Sequence, residues 1–279
     1  MNIVLKILLI IISFVIVIAL ALPSILNFAG LHPKFDGETF NLQGKKALII
    51  ATNHGVLNKP GEIDGKSTGL FLSELSIPYY DFKKANIKVD IASIKGGKIP
   101  LEPIPFFIET TEDKRFKKDQ ETMNLLQNSI PIKDIDFTEY DIIFISGGWG
   151  AAYDLGFSEL LGEKISNAYY SSQAIIGGVC HGVLGFIKAK NINGDPLIAG
   201  RKMTGVTDKQ LKELGIFFTP QHPEEELKKA GVIFQSESAF RDVFATLTVV
   251  DDEKRFVTGQ NQNSGHETAY RIMEILNSQ

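Results

Sequence analysis

The chain has 279 residues, a formal net charge of −4 and 44% hydrophobic residues, enough apolar material for one large core. The mild acidity, without any Lys/Arg cluster interleaved with aromatics, speaks against nucleic acid as a partner. A single cysteine excludes an internal disulfide and any metal site built on paired cysteines.

Residues 1–30 differ in character from the rest. Ile7 to Leu22 is an uncharged run of sixteen residues, preceded by Lys6 and followed by Pro23. With Ile3-Val4-Leu5 before it and Ile25-Leu26 after it, the run has the length needed to cross a bilayer of roughly 30 Å. Two readings are open: a single-pass signal anchor, or a signal peptide cleaved near Ala21 at Ala19-Leu20-Ala21. The length of the apolar stretch favours the anchor. Lys6 and the amino terminus then stay in the cytoplasm, which puts the rest of the chain on the extracytoplasmic side of the membrane.

The remainder, residues 45–279, reads as one α/β domain. Ala47–Thr52 is a buried-strand run ending in Asn53-His54-Gly55, and a loop rich in Gly, Pro and Asp follows it. A helix is predicted from Thr68 through Pro78 to Ala85, then a strand over Ile87–Ser93. The proline-bearing stretch from Gly96 to Tyr140 contains a helical pattern over Lys117–Asn128. Asp141–Ser146 is the next strand, ending in Gly147-Gly148-Trp149-Gly150, and Phe157–Tyr170 the next helix. Gln173–Val179 is a further strand, Leu247–Val250 and Arg255–Gly259 form a hairpin, and Gly265–Leu276 is a closing helix. Apolar strands alternating with helices predict a mostly parallel central sheet covered on both faces, a flavodoxin-like architecture. In such a sheet the ligand site lies at the carboxyl ends of the strands. Asn53-His54, Gly147–Trp149 and Cys180-His181 all fall there.

Cys180 stands out at that edge. Gly178-Val179-Cys180-His181-Gly182 follows a strand and precedes the apolar Val183–Ile187, the layout of a nucleophile elbow running into a helix. A helix N-terminus favours an anion, so the thiol is expected to titrate below its ordinary value of about 8.5. The competing reading is a buried structural cysteine. The remaining histidines, His32, His54, His222 and His266, lack ligand spacing, so no metal is expected and nothing calls for a cofactor.

Five motifs in order, Asp64-Gly65-Lys66-x-Thr68-Gly69 with Glu74, Gly147-Gly148-x-Gly150, Gly178–Gly182, Lys202–Thr207 and Thr258-Gly259-Gln260-Asn261, resemble the ThiJ/PfpI superfamily, whose fold is that of class I glutamine amidotransferases. The chain is most similar to the branch of heat-inducible chaperones that are glutathione-independent glyoxalases (glyoxalase III). The resemblance covers roughly residues 45 to 277. It implies Cys180 as nucleophile, His181 as the neighbouring acid/base and Glu74 as the carboxylate that meets the thiol. It also implies a small aldehyde or dicarbonyl substrate, with Gly148, Trp149, Gly150 and the His181 N–H as oxyanion or substrate contacts, and a homodimer. The branch usually has His inside Gly-Gly-x-Gly, where this chain has Trp149, its only tryptophan. Besides a lyase releasing a hydroxy acid, with protein deglycation as a related activity, two other functions stay open. One is a stress chaperone or redox-sensing module, the other an amidotransferase- or peptidase-like hydrolase.

Overall fold

The computed structural model describes residues 3–279. The first two residues of the expected 1–30 segment lie outside the described residues. Helix α1 (Ile3–Phe28) continues through Pro23 and buries none of its residues. At about 1.5 Å per residue it is about 39 Å long, more than the roughly 30 Å of a bilayer's hydrocarbon core. Among the described residues it is the one helix long and apolar enough to cross a membrane.

The strands of the central sheet are β1 (Lys46–Ala51), β4 (Lys88–Ser93), β5 (Ile130–Pro131), β6 (Ile142–Ile145), β7 (Ile175–Val179), β10 (Thr248–Val250) and β11 (Phe256–Gly259). Two short pairs lie outside it: β2 (Val56–Leu57) with β3 (Lys66–Ser67), and β8 (Lys202–Met203) with β9 (Ile233–Phe234). The sheet has seven strands in the order β10-β11-β7-β6-β1-β4-β5. Every pairing in it is parallel except the β10–β11 hairpin. The chain winds outward from β1 through β4 and β5, then returns to β6 on the other side of β1. This reversal opens a crevice at the carboxyl ends of β1 and β6.

Side chains alternate across a strand, so one strand feeds two cores. In β1, Ala47, Ile49 and Ala51 join the cluster that holds Leu75, Tyr79 and Phe82 of α2 (Ser73–Lys84) and Ala269 and Ile272 of α9 (Gly265–Asn277). Leu48 and Ile50 face the opposite cluster, with Leu161 and Ile165 of α6 (Glu159–Ser171). The fold is α/β, with a mostly parallel sheet and helices on both faces. The shorter helices α3 (Thr111–Lys118), α4 (Gln120–Gln127), α5 (Ala151–Asp154), α7 (Asp208–Glu213) and α8 (Pro223–Lys229) fill the connections.

Three predicted elements differ. The helix expected from Thr68 begins only at Ser73, because Gly69 takes a positive φ of +150° and Leu70 bridges to Leu101. The helix expected over 117–128 is two helices, broken at Asp119, whose carboxylate caps the second by accepting from the Glu121 N–H at 2.9 Å. The elbow runs into a seven-residue 3-10 turn, Cys180–Phe186, in place of an α-helix.

Candidate active site

Cys180 follows the last residue of β7 and has φ +57°, a left-handed backbone that costs an L-residue with a Cβ roughly 1–3 kcal/mol. The turn closes this tightly because position 182 has no side chain. A Cβ on Gly182 would lie 2.2 Å from the Ile145 carbonyl oxygen. The chain is thereby pressed against the end of β6, and the sulfur turns into a pocket.

Four groups meet the sulfur. His181 Nδ1 lies 3.4 Å from Sγ. The backbone N–H groups of His181 and Gly148 hydrogen-bond to it. The Glu74 carboxyl shares a side-chain hydrogen bond with it and accepts from the Gly147 N–H at 2.9 Å. Local chemistry pins Glu74 there. It sits in the first turn of α2, and Pro78, four residues on, has no N–H to give the Glu74 carbonyl. The Ser146 hydroxyl donates to that carbonyl instead, at 3.0 Å, tying α2 to the end of β6.

The electrostatics follow from burial. Glu74 is pushed up to about 8 by desolvation, opposed by its hydrogen bonds from Cys180 and Gly147. Burial and the Glu74 carboxylate also push the Cys180 thiol well above its ordinary value, against the pull of the two backbone N–H groups. The expected acidified thiol is therefore corrected: a carboxyl pressed against a buried sulfur outweighs the terminus of a short 3-10 turn. The two groups titrate as a pair, and one negative charge is shared across their hydrogen bond before a second can form. His181 is buried and lowered to about 3, so its imidazole is neutral. Among the described residues its Nε2 has no hydrogen-bond partner.

The pocket is a cavity of about 200 Å³. Besides Cys180, His181, Glu74 and Gly148, it is lined by Leu31, Phe71, Glu102, Pro103, Ile104, Ile108, Trp149, Val206, Gln210, Leu214, Val243 and Gln262. The Trp149 ring packs on His181 with centroids 4.9 Å apart. Glu102 accepts from the Thr68 hydroxyl, is raised to about 7 by burial, and adds to the upward push on Glu74.

The structure thus brings Glu74, Gly148, Trp149, Cys180 and His181 together. Gly150 is a correction: it does not line the pocket, and its N–H is spent on the Gly69 carbonyl at 3.2 Å. His54, at the same sheet edge, stacks on Tyr153 and bonds the Val56 carbonyl at 2.5 Å, away from the thiol. Glu102, Leu31 and Val243 were not anticipated. For Glu102 the one sequence signal is its place among Pro100, Pro103 and Pro105, a stretch whose rigidity suits a pocket wall.

These features define a class: an α/β protein whose mostly parallel sheet presents one buried cysteine, paired with a carboxyl, in a largely apolar pocket. The chain belongs to the DJ-1/PfpI family, which it matches over residues 68–275. It is 30% identical over 244 residues to Glyoxalase 3 of Candida albicans, spanning 82% of this chain and 97% of that protein. The crystal structure of glyoxalase III from Candida albicans is similar to it with a TM-score of 0.73 at 27% identity, covering 82% of this chain and 96% of that one. The structure of Rapid Encystment Protein 24 KDa from Francisella tularensis is similar with a TM-score of 0.76 at 31% identity, covering 83% and 99%.

Proposed function

We propose that this chain is a glutathione-independent glyoxalase that converts a 2-oxoaldehyde such as methylglyoxal to the 2-hydroxy acid. The observation that carries the reading is the hydrogen bond between the Glu74 carboxyl and the Cys180 thiol inside the pocket. The glyoxalase names of relatives matched over most of the chain support it.

The reaction needs no external oxidant. The Cys180 sulfur, its proton held on Glu74, adds to the aldehyde carbon, and Glu74 returns that proton to the oxygen as the C–S bond forms. The oxygen develops its charge near the N–H groups of Gly148 and His181. Glu74, now a carboxylate, takes the proton from the former aldehyde carbon and delivers it to the neighbouring carbon. The hydroxyl proton moves to the ketone oxygen through His181, whose neutral imidazole can donate and accept. The aldehyde carbon ends as a thioester and the ketone as an alcohol. Water then cleaves the thioester, releasing the hydroxy acid and restoring the thiol.

In the same reading, residues 1–30 are an N-terminal anchor and residues 45–279 one α/β domain beyond it, on the extracytoplasmic side. Helix α1, which carries Lys6 as its one charged residue and buries none of its residues, supports the anchor. The test of the activity is loss of methylglyoxal and appearance of lactate without added glutathione. Cys180→Ala is the control, and equal rates for the two proteins would sink the proposal.

A further inference from the structure

The pocket is polar only around the sulfur. Glu74 bonds Cys180, His181 lies against it, and Glu102 adds its charge from beside Glu74. The other polar side chains of the wall each have at least one polar atom engaged within the protein. Gln210 accepts from Asn261 at 3.1 Å, and Gln262 donates to the Val243 carbonyl at 3.1 Å. Glu102 is held by the Thr68 hydroxyl and the Gly69 N–H. The rest of the wall is mainly apolar, with Leu31, Phe71, Ile104, Ile108, Trp149 and Val243 prominent. A substrate with one methyl beyond its two carbonyls leaves most of that wall unfilled, whereas apolar surface removed from water is what such a wall stabilises. Leu31 also lies three residues past the end of α1, so the apolar wall adjoins the most lipophilic segment of the chain.

We propose that the preferred substrates are 2-oxoaldehydes carrying an apolar chain or ring beyond the dicarbonyl, an inference that rests on the glyoxalase reading above. The dicarbonyl meets Cys180, Glu74 and the two backbone N–H groups. The apolar portion lies along Trp149, Ile104 and Ile108. The chemistry balances as before: R–CO–CHO and water give R–CHOH–COOH, with R apolar.

The test compares initial rates of the full chain in mild detergent, without glutathione, on methylglyoxal, phenylglyoxal and 2-oxooctanal. Seating two methylenes is worth about tenfold. The two apolar substrates are therefore expected to show kcat/KM at least about tenfold above methylglyoxal, and Ile104→Asn is expected to shrink that ratio. A ratio below about tenfold with methylglyoxal turned over overturns the substrate proposal and leaves the glyoxalase reading standing. No turnover of any of the three, by protein whose Cys180 is still alkylated by iodoacetamide, overturns both.

Discussion

The Glu74 carboxyl crosses from the first turn of α2 to hydrogen-bond the Cys180 thiol at the end of β7, while the Gly147 N–H holds it in place at 2.9 Å. This contact joins two residues 106 positions apart in the chain (180 − 74) and sets the protonation state of both.

Replacing Glu74 by Gln keeps an acceptor for the Gly147 N–H and removes the carried proton. Turnover is expected to fall by about 10²–10⁴, the usual contribution of a positioned acid/base. Because the carboxylate's charge no longer opposes the thiolate, the thiol of E74Q should ionise at lower pH. Rates of iodoacetamide alkylation against pH read this directly. An alkylation midpoint unchanged or higher in E74Q would contradict the pairing.

Stability should carry the same signature. The folded Glu74 titrates at about 8, above its unfolded value, so the folded chain holds a proton that the unfolded chain has lost. That contribution is complete below the unfolded value, near 4.3, and is lost as pH rises toward 8. The stability difference between wild type and E74Q is expected to shrink by about 1 kcal/mol per pH unit across that window. His181 acts in the opposite sense, since its lowered value of about 3 makes stability rise with pH up to its unfolded value near 6.5. Urea unfolding of both proteins at pH 5.5 and 7.5 isolates Glu74, because His181 is common to both.

Position 180 allows a test of backbone strain apart from chemistry. Both Cys180→Ala and Cys180→Gly remove the sulfur and should abolish thiol-dependent turnover. The φ of +57° suits glycine, so Cys180→Gly is expected to be more stable than Cys180→Ala by about 1 kcal/mol. Melting temperatures in the same buffer compare the two, and an alanine variant that melts higher would argue against a strained elbow.

Gly182→Ala is expected to destabilise by about 3 kcal/mol or more, because the new methyl would start 2.2 Å from the Ile145 carbonyl oxygen, a backbone atom that cannot swing aside. Soluble yield and melting temperature report it. A well-folded Gly182→Ala protein with native stability would mean that the elbow is looser than described.

The exposed apolar helix predicts that the full chain floats with phosphatidylcholine vesicles in a density gradient and that a chain lacking residues 1–30 stays at the bottom. Equal distribution of the two would exclude the anchor.

The sheet was legible because β1, β6 and β7 are buried on both faces and so appear as continuous apolar runs, such as Ile142–Ile145. Cys180 was legible because the elbow needs small neighbours, and Gly178 and Gly182 supply them locally. Glu74 was not legible from its own surroundings, since a carboxylate on a helix reads as a solvated face; only the order of motifs pointed to it. The pocket wall was hidden for another reason. Leu31, Ile108 and Val243 come from segments that no periodicity connects, and they meet only once the sheet edge has formed. The thiol's acidity was misjudged because burial first, and then the carboxyl that tertiary packing brings to the sulfur, outweigh the N–H groups at the turn.

The left-handed backbone at Cys180 has a consequence for the residue it carries. Glycine at position 180 would relieve the torsional cost, but it would also remove a buried side chain and a partner of the Glu74 carboxyl. Cysteine at this position therefore carries a backbone cost that is offset only by what its sulfur touches.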